Sequence, residues 1–574
     1  MMTKMKTIQN IILLAFLTIS GFAYAQPGGN LGQLELSVTD KYKAKVGEAV
    51  KFTDFPKFED TTTSKLQVNY KITSQPIEVH YQPDPISHAR VAKVPVDELY
   101  NGMVKVGFGL YGTPLVEGYW NSKRSSKQSY GFWGKHFSTH SGVKQTIFAD
   151  NGLSNNQLGA YYNHFYKDLT WSTQAFGKWD KYSYYGIDEY PTAYGDSLDD
   201  IKKPDPKENW FRQYEINTSI TEKKANDLGM VEKVDFRYYN FSDAMGAKEN
   251  FTRLGSDWEL PAGDIGLDLG LNFTYFKTGF DTILAGDQAY FTVQAYPSVS
   301  VALGEIVFDF GLNIYANSYQ AITPADDKFT MRFFPKINIE YPFVEDVLSI
   351  YGGVKGQQQH NTYRTFTTDN SYVIPAMNLR PTRTTDIYIG LQGLLSSTTS
   401  FNISGGTLVQ NDLALYYRDP FYRYDSTFNA LEVLYDNSQT FYARGELGVN
   451  VNNNLQLGLS GELRSYNTQG EEEAWHRPGF LAQLDADYTL KEKIKLGADL
   501  NYVGKRQAFE QSMNPEVEST LPAYLFANLQ VEYLYNSRLS AYVNVLNITN
   551  SKYDMYLGYK AQSINFLMGF TYKL

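Results

Sequence analysis

The sequence predicts an all-β protein, a transmembrane antiparallel β-barrel of about 22 strands (range 18–22) behind a short N-terminal segment. Three observations predict it. Apolar and polar residues alternate with a period of two over most of the chain, as in a strand with a different medium on each face. Tight turns alternate with long polar connections. The last residues form an amphipathic strand that closes on the hydrophobic Leu574.

Composition narrows the class. Hydrophobic residues make up 43% of the 574, yet mean hydropathy is negative, so the chain is too polar for a bundle of membrane helices. Its 15% aromatic content, with 46 Tyr, suits a barrel with an oily exterior, a wet interior and aromatic girdles at both interfaces. A net charge of -10 argues against a nucleic-acid partner, because phosphate binding needs a basic field. The absence of Cys removes disulfides, thiol nucleophiles, thiolate metal sites and a lipoprotein anchor together.

The elements follow in order. Lys4 and Lys6 precede an apolar stretch from Ile11 to Ile19, and Ala23, Tyr24 and Ala25 then precede Gln26. This is the pattern of a secretory signal over residues 1–25, cleaved between Ala25 and Gln26. Its apolar core is shorter than the ~20 residues a spanning helix needs, and no later run supplies them. Any membrane crossing is therefore made by strands, and export points to the outer membrane of a Gram-negative cell.

Residues 26–100 form a second, polar segment punctuated by Pro56, Pro76, Pro83, Pro85 and Pro95, with weak alternation at Leu66 to Ile72 and His88 to Val94. It either folds into the lumen as a reduced plug or hangs in the periplasm as an arm that docks a partner. An empty lumen of about 22 strands would breach the permeability barrier, which favours the plug.

Residues 101–574 are the barrel. Ile265, Leu267, Leu269, Leu271, Phe273 and Tyr275 fall on one face of a strand, and Asp264, Gly266, Asp268, Gly270, Asn272 and Thr274 on the other. Ile494 to Tyr502 and Leu455 to Arg464 divide in the same way. The polar positions are often Gly, Ser, Asn and Gln, which suit a crowded or watery lumen better than the charged face of a soluble sandwich. Tight turns are expected at Lys167-Asp168, Pro261 to Gly263, Gly304-Glu305, Val344 to Asp346, Ser396 to Thr399, Asn452 to Asn454, Lys491-Glu492 and Asn536-Ser537, with a looser one near Lys223 to Leu228. Long connections lie near Gly186 to Glu208, Gln358 to Arg383, Arg418 to Asn429, Ser465 to Arg477 and Lys505 to Thr520. The short side is the periplasmic one. Phe566, Met568, Phe570, Tyr572 and Leu574 form the apolar face of the closing strand.

The stretch from Asn544 to Tyr553, Asn-Val-Leu-Asn-Ile-Thr-Asn-Ser-Lys-Tyr, followed after a loop by Ile564 to Phe570, resembles the C-terminal end of TonB-dependent outer-membrane receptors, especially those of Bacteroidota. The resemblance extends over the barrel and implies a receptor or transporter fold. That family carries a plug of well over a hundred residues and a TonB-contacting segment before it. Residues 26–100 are too few, so the resemblance is to a receptor barrel that lacks the usual plug.

Other motifs carry bland readings. Gly107, Gly109 and Gly112 fit a dinucleotide fingerprint by spacing but lie inside a strand pattern, as small residues at a crowded wall. His136 and His140 would sit about 13 Å apart on a strand, too far to share a metal ion. His164, His360 and His476 have no companion spacing that marks catalysis. Tyr161-Tyr162, Tyr182 to Tyr185 and Tyr416-Tyr417 are girdle residues or strand extensions, with ring stacking on sugars or nucleobases as the alternative. Glu471 to Glu473, and Asp196, Asp199 and Asp200 with Lys202 and Lys203, are solvated loop charge, with divalent-ion bridging as the alternative.

The resulting expectation is a receptor-like or transporter-like barrel that binds or passes a solute without clear TonB coupling. The second reading is a non-transporting platform that docks surface or periplasmic lipoproteins. No catalytic, cofactor or metal residue is assigned, and outer-membrane lipid is the expected surrounding.

Overall fold

The computed structural model describes residues 100–143, 151–186, 206–223, 232–262, 265–281, 286–320, 328–418, 430–510 and 517–574. The leader, its Ala25/Gln26 cleavage site, residues 26–99 and the Asp196 to Lys203 charge cluster lie outside the described residues.

Twenty-two strands pair antiparallel, each with its sequence neighbour, and the ring closes where the first strand, Gly102–Gly109, meets the last, Asn565–Lys573. Closure runs from Met103 opposite Lys573 to Gly109 opposite Leu567, and the Leu574 amide donates to the Gly102 carbonyl at 2.8 Å. The terminal strand is thus an inner stave of a continuous wall, with no free edge.

The alternation fixes which face meets lipid. Phe273 and Tyr275 are 42% and 44% exposed, whereas Asn272 and Thr274 beside them are each 7% exposed. A soluble sheet buries its oily face. Here the wet face is buried around the lumen and the oily face is bare to the bilayer. Phe566, Met568, Phe570, Tyr572 and Leu574 all lie on that bare face.

The expected tight turns fall between strands on one rim. At Gly304-Glu305 the flanking Leu303 and Ile306 pair directly, and Gly304 takes a φ of +64° that suits a residue without a Cβ. Among the described residues the opposite rim carries the long connections, with two short exceptions at 110–112 and 243–247, while most of 186–208 and 418–429 lies outside the described residues. Two segments read as plain loop contain structure. Lys505 to Thr520 holds a hairpin, Arg506–Glu510 against Val517–Leu521. Gln358 to Arg383 holds a short helix, Tyr363–Asp369. Both carry too few residues for a periodic signal to show.

Several strands far exceed the ~9–11 residues that cross a bilayer. Thr399–Arg418 has 20 and Leu431–Asn452 has 22, so their loop-rim ends stand beyond the membrane as a palisade. A bulge between Gln410 and Leu413 leaves Asp412 at a φ of +55°, and its carboxylate meets Arg383 and Arg380.

Candidate functional site

Register creates the first feature of the loop rim. Tyr239, Phe251, Phe276, Tyr290 and Tyr319 are successive cross-strand partners on five adjacent strands, all on the lumenal side. Their rings stack with centroids 4.8, 6.4, 5.0 and 4.4 Å apart. Each such pair adds roughly 0.5–1.5 kcal/mol beyond the area it buries. The row is a rigid ledge running along the inside of the wall.

The connection after the thirteenth strand rests on this ledge. Thr362 caps its helix, accepting from the Thr365 amide at 3.2 Å. Glu249, fully buried at the start of the eighth strand, accepts from the Tyr363 amide at 2.8 Å and from the hydroxyls of Thr278 and Tyr239 at 2.7 and 2.9 Å. A carboxylate from the wall thereby pins the helix N-terminus, where negative charge is favoured. The Tyr363 hydroxyl donates to Asp243 at 2.6 Å, and burial raises the Asp243 carboxyl above the usual aspartate range.

Beyond the helix the chain runs across the mouth. Tyr372 stacks on Tyr559 with centroids 3.7 Å apart and meets Tyr184 and Tyr185 edge-on. The Ile374 amide donates to the Leu431 carbonyl at 2.9 Å. Gln288 and Tyr290 donate to the carbonyls of Met377 and Leu379 at 2.8 and 2.7 Å. Tyr184 ends the fifth strand and Leu431 begins the sixteenth, eleven positions apart in a ring of 22. One connection therefore ties together opposite halves of the rim, and its buried residues belong to the largest apolar cluster among the described residues.

The remaining sector is closed by other loops. Arg506 donates to the carbonyls of Met555 and Asp554 at 2.7 and 2.8 Å. His476 lies with Nδ1 2.9 Å from the Tyr416 carbonyl and Nε2 3.3 Å from the Leu557 amide, which makes Nδ1 the donor and leaves the ring neutral. Burial, with Arg506 nearby, holds its pKa down to about 3.

Beneath the lid lies a cavity of about 420 Å³, lined by Arg237, Arg253, Gln294, Gln357, His360 and Arg364 among others, with no carboxylate in its lining. Glu215 stands beside it, accepting from Arg237 at 2.8 Å and lying 3.5 Å from Arg364. Among the described residues Arg253 donates only to the amide oxygen of Asn272, at 2.8 and 3.2 Å. The Nδ1 of His360 is sealed from solvent with no hydrogen-bond partner among the described residues, and burial lowers its pKa to about 4.

The structure separates the candidates that the sequence singles out. Tyr182, Tyr184, Tyr185 and Tyr416 belong to the packed lid, and His360 and His476 to its edges, whereas Tyr161 and Tyr162 sit toward the turn rim. The loop tyrosines are thus held in an apolar core above the membrane. His136 bonds Asn156 at 2.6 Å, while His140 packs beyond the strand end near Gly112. Gly107 faces Gly569 across the closing seam beneath the Tyr542 hydroxyl, a close approach that leaves no phosphate cradle. Glu471 accepts from the Trp475 indole at 2.7 Å, and Glu472 and Glu473 are exposed. Arg237 and Arg253 stand at polar positions of alternating strands, and Arg364 lies in a segment read as plain loop, so no sequence signal joined the three.

No protein-family profile matches the chain, and no curated protein matches it in sequence. Solved structures do. The FrpB iron transporter of Neisseria meningitidis (F5-1 variant) superposes with a TM-score of 0.64 at 12% identity, covering 83% of both chains. The pyoverdine outer membrane receptor FpvA of Pseudomonas aeruginosa PAO1, bound to pyoverdine, gives 0.62 at 13% identity over 84% of this chain and 79% of its own. The copper transporter OprC gives 0.59 at 12% over 82% of both. At such identities the likeness establishes the fold.

Proposed function

We propose that this chain is an outer-membrane receptor or transporter barrel that captures a solute beneath a lid of its own outer loops and passes it inward. The observation that carries the reading is the lid itself, a connection that joins opposite halves of a 22-strand ring above a polar cavity. A wall so wide encloses enough lumen for a solute, and a mouth so firmly packed implies admission by movement. The likeness to an iron transporter, a pyoverdine receptor and a copper transporter supports this class. Residues 1–25 supply the export signal in this reading, and residues 26–100 a reduced plug or a periplasmic arm.

Planar-bilayer conductance tests it, using the full chain and a version with residues 362–379 replaced by a short Gly-Ser linker, each with and without residues 26–100. Conductance is expected to rise when the lid is replaced and further when both segments are absent. Four equal, silent traces from a protein that purifies with a stoichiometric partner would replace transport with the docking-platform reading.

A further inference from the structure

The cavity under the lid has a chemistry of its own. We infer that it is a binding site for a compact polar solute bearing two or more carboxylate or phosphate groups, gripped by Arg253, Arg364 and Arg237. This rests on the receptor reading and adds the class of ligand.

The charge pattern carries the argument. The chain has a net charge of -10, yet the cavity lining holds three arginines and no carboxylate. A second hollow in the lumen wall, of about 260 Å³, has the reverse lining, with Asp485, Asp487 and Asp499 and no cation. The two hollows thus carry opposite charge, the one between Arg237 and Arg364 basic and the one beside Ile494–Val503 acidic.

The donors are also underused. Each guanidinium offers five N–H groups in a planar fork that matches carboxylate or phosphate oxygens in pairs. Glu215 engages Arg237 and Arg364, one carboxylate against two cations. Arg253 has no carboxylate partner among the described residues and spends its bonds on a neutral amide. Gln294, Gln357 and Thr292 add neutral groups to the lining, and Arg364 lies over the Tyr239 ring, 4.4 Å from its centroid, which orients it. At about 420 Å³ the space falls within the range of small-molecule sites. Arg364 belongs to the lid helix, so an anion held between it and the wall would lock the lid over its cargo.

Isothermal titration calorimetry on the purified full chain tests the assignment, with citrate, inositol hexakisphosphate and sucrose as probes. At least one of the anions is expected to bind, with affinity falling as salt rises, and sucrose is not. Arg253→Gln, which keeps a bond to Asn272, should weaken anion binding about tenfold or more, with Arg253→Lys intermediate. A preference for citrate or for the hexakisphosphate tells carboxylate from phosphate cargo. Sucrose binding as tightly as the anions, or a folded Arg253→Gln protein that binds them unchanged, overturns the assignment and leaves the receptor reading standing. Silence from all three probes, both in the natural chain and in a Tyr372→Ala variant with a loosened lid, overturns both.

Discussion

Tyr372→Ala isolates the lid from the barrel. Tyr372 is 8% exposed, stacks on Tyr559 at 3.7 Å, meets Tyr184 and Tyr185 edge-on, and shares a 3.3 Å hydroxyl bond with Tyr185. Replacing a buried aromatic by Ala costs about 3–5 kcal/mol. All these partners stand on the loop rim, while the strand ladders below are untouched, so the loss falls on lid closure. Since each ~1.4 kcal/mol is a tenfold change in an equilibrium constant, the open fraction should rise by about two to three and a half orders of magnitude. Hydrogen exchange with mass spectrometry reads this directly at the Ile374 and Leu431 amides, which donate to the Leu431 and Tyr372 carbonyls. Where closing outpaces exchange, the rate at these sites should rise by the same factor while Thr382–Ser396 stays protected. Unchanged exchange at the lid, or an equal rise along the barrel strands, would refute the lid as a separately opening unit.

Three further outcomes follow. His476 is neutral in the closed mouth with its pKa held near 3, so its share of stability is full above its ordinary pKa of about 6.5 and is lost as pH falls toward 3. At pH 5 the loss is about 2 kcal/mol, and exchange at 474–476 and 555–557 should speed up on acidification, an acceleration that His476→Gln removes. A Cβ at Gly569 would overlap the Val106 carbonyl oxygen across the closing seam, so Gly569→Ala should cost about 1–3 kcal/mol and lower the temperature at which the folded band is lost on unheated gels. Ile389, 66% exposed on the lipid face, should tolerate Leu, whereas Ile389→Arg should destabilise the barrel by about 2–4 kcal/mol in urea titrations in lipid vesicles.

The barrel was legible because its information is local. A period of two along Ile265 to Tyr275 states which side chains face lipid, and the turns at Lys167-Asp168 or Lys491-Glu492 state where the chain reverses. Strand count, the alternation of rims and the closing role of Phe566 to Leu574 follow from summing such local statements. The lid was not legible in this way. Tyr184 and Tyr416, near two strand ends, and Tyr363, Tyr372 and Tyr559, in two connections, read as girdle, strand-extension or loop residues, because no periodicity joins them.

By itself, then, the sequence determined a two-faced wall with short turns at one rim and long loops at the other, since lipid and water sort each side chain independently of distant neighbours. Only the tertiary structure decided what the long loops do. Register on five adjacent strands aligns Tyr239, Phe251, Phe276, Tyr290 and Tyr319 into a ledge, and ring closure brings Tyr184 and Leu431 within reach of one connection. Register pairs Arg237 with Arg253 on adjacent strands, and the lid helix brings Arg364 to the same cavity. The contacts of Tyr184 with Ser371 and of Glu215 with Arg364 join positions more than a hundred residues apart, and a linear pattern carries no record of them.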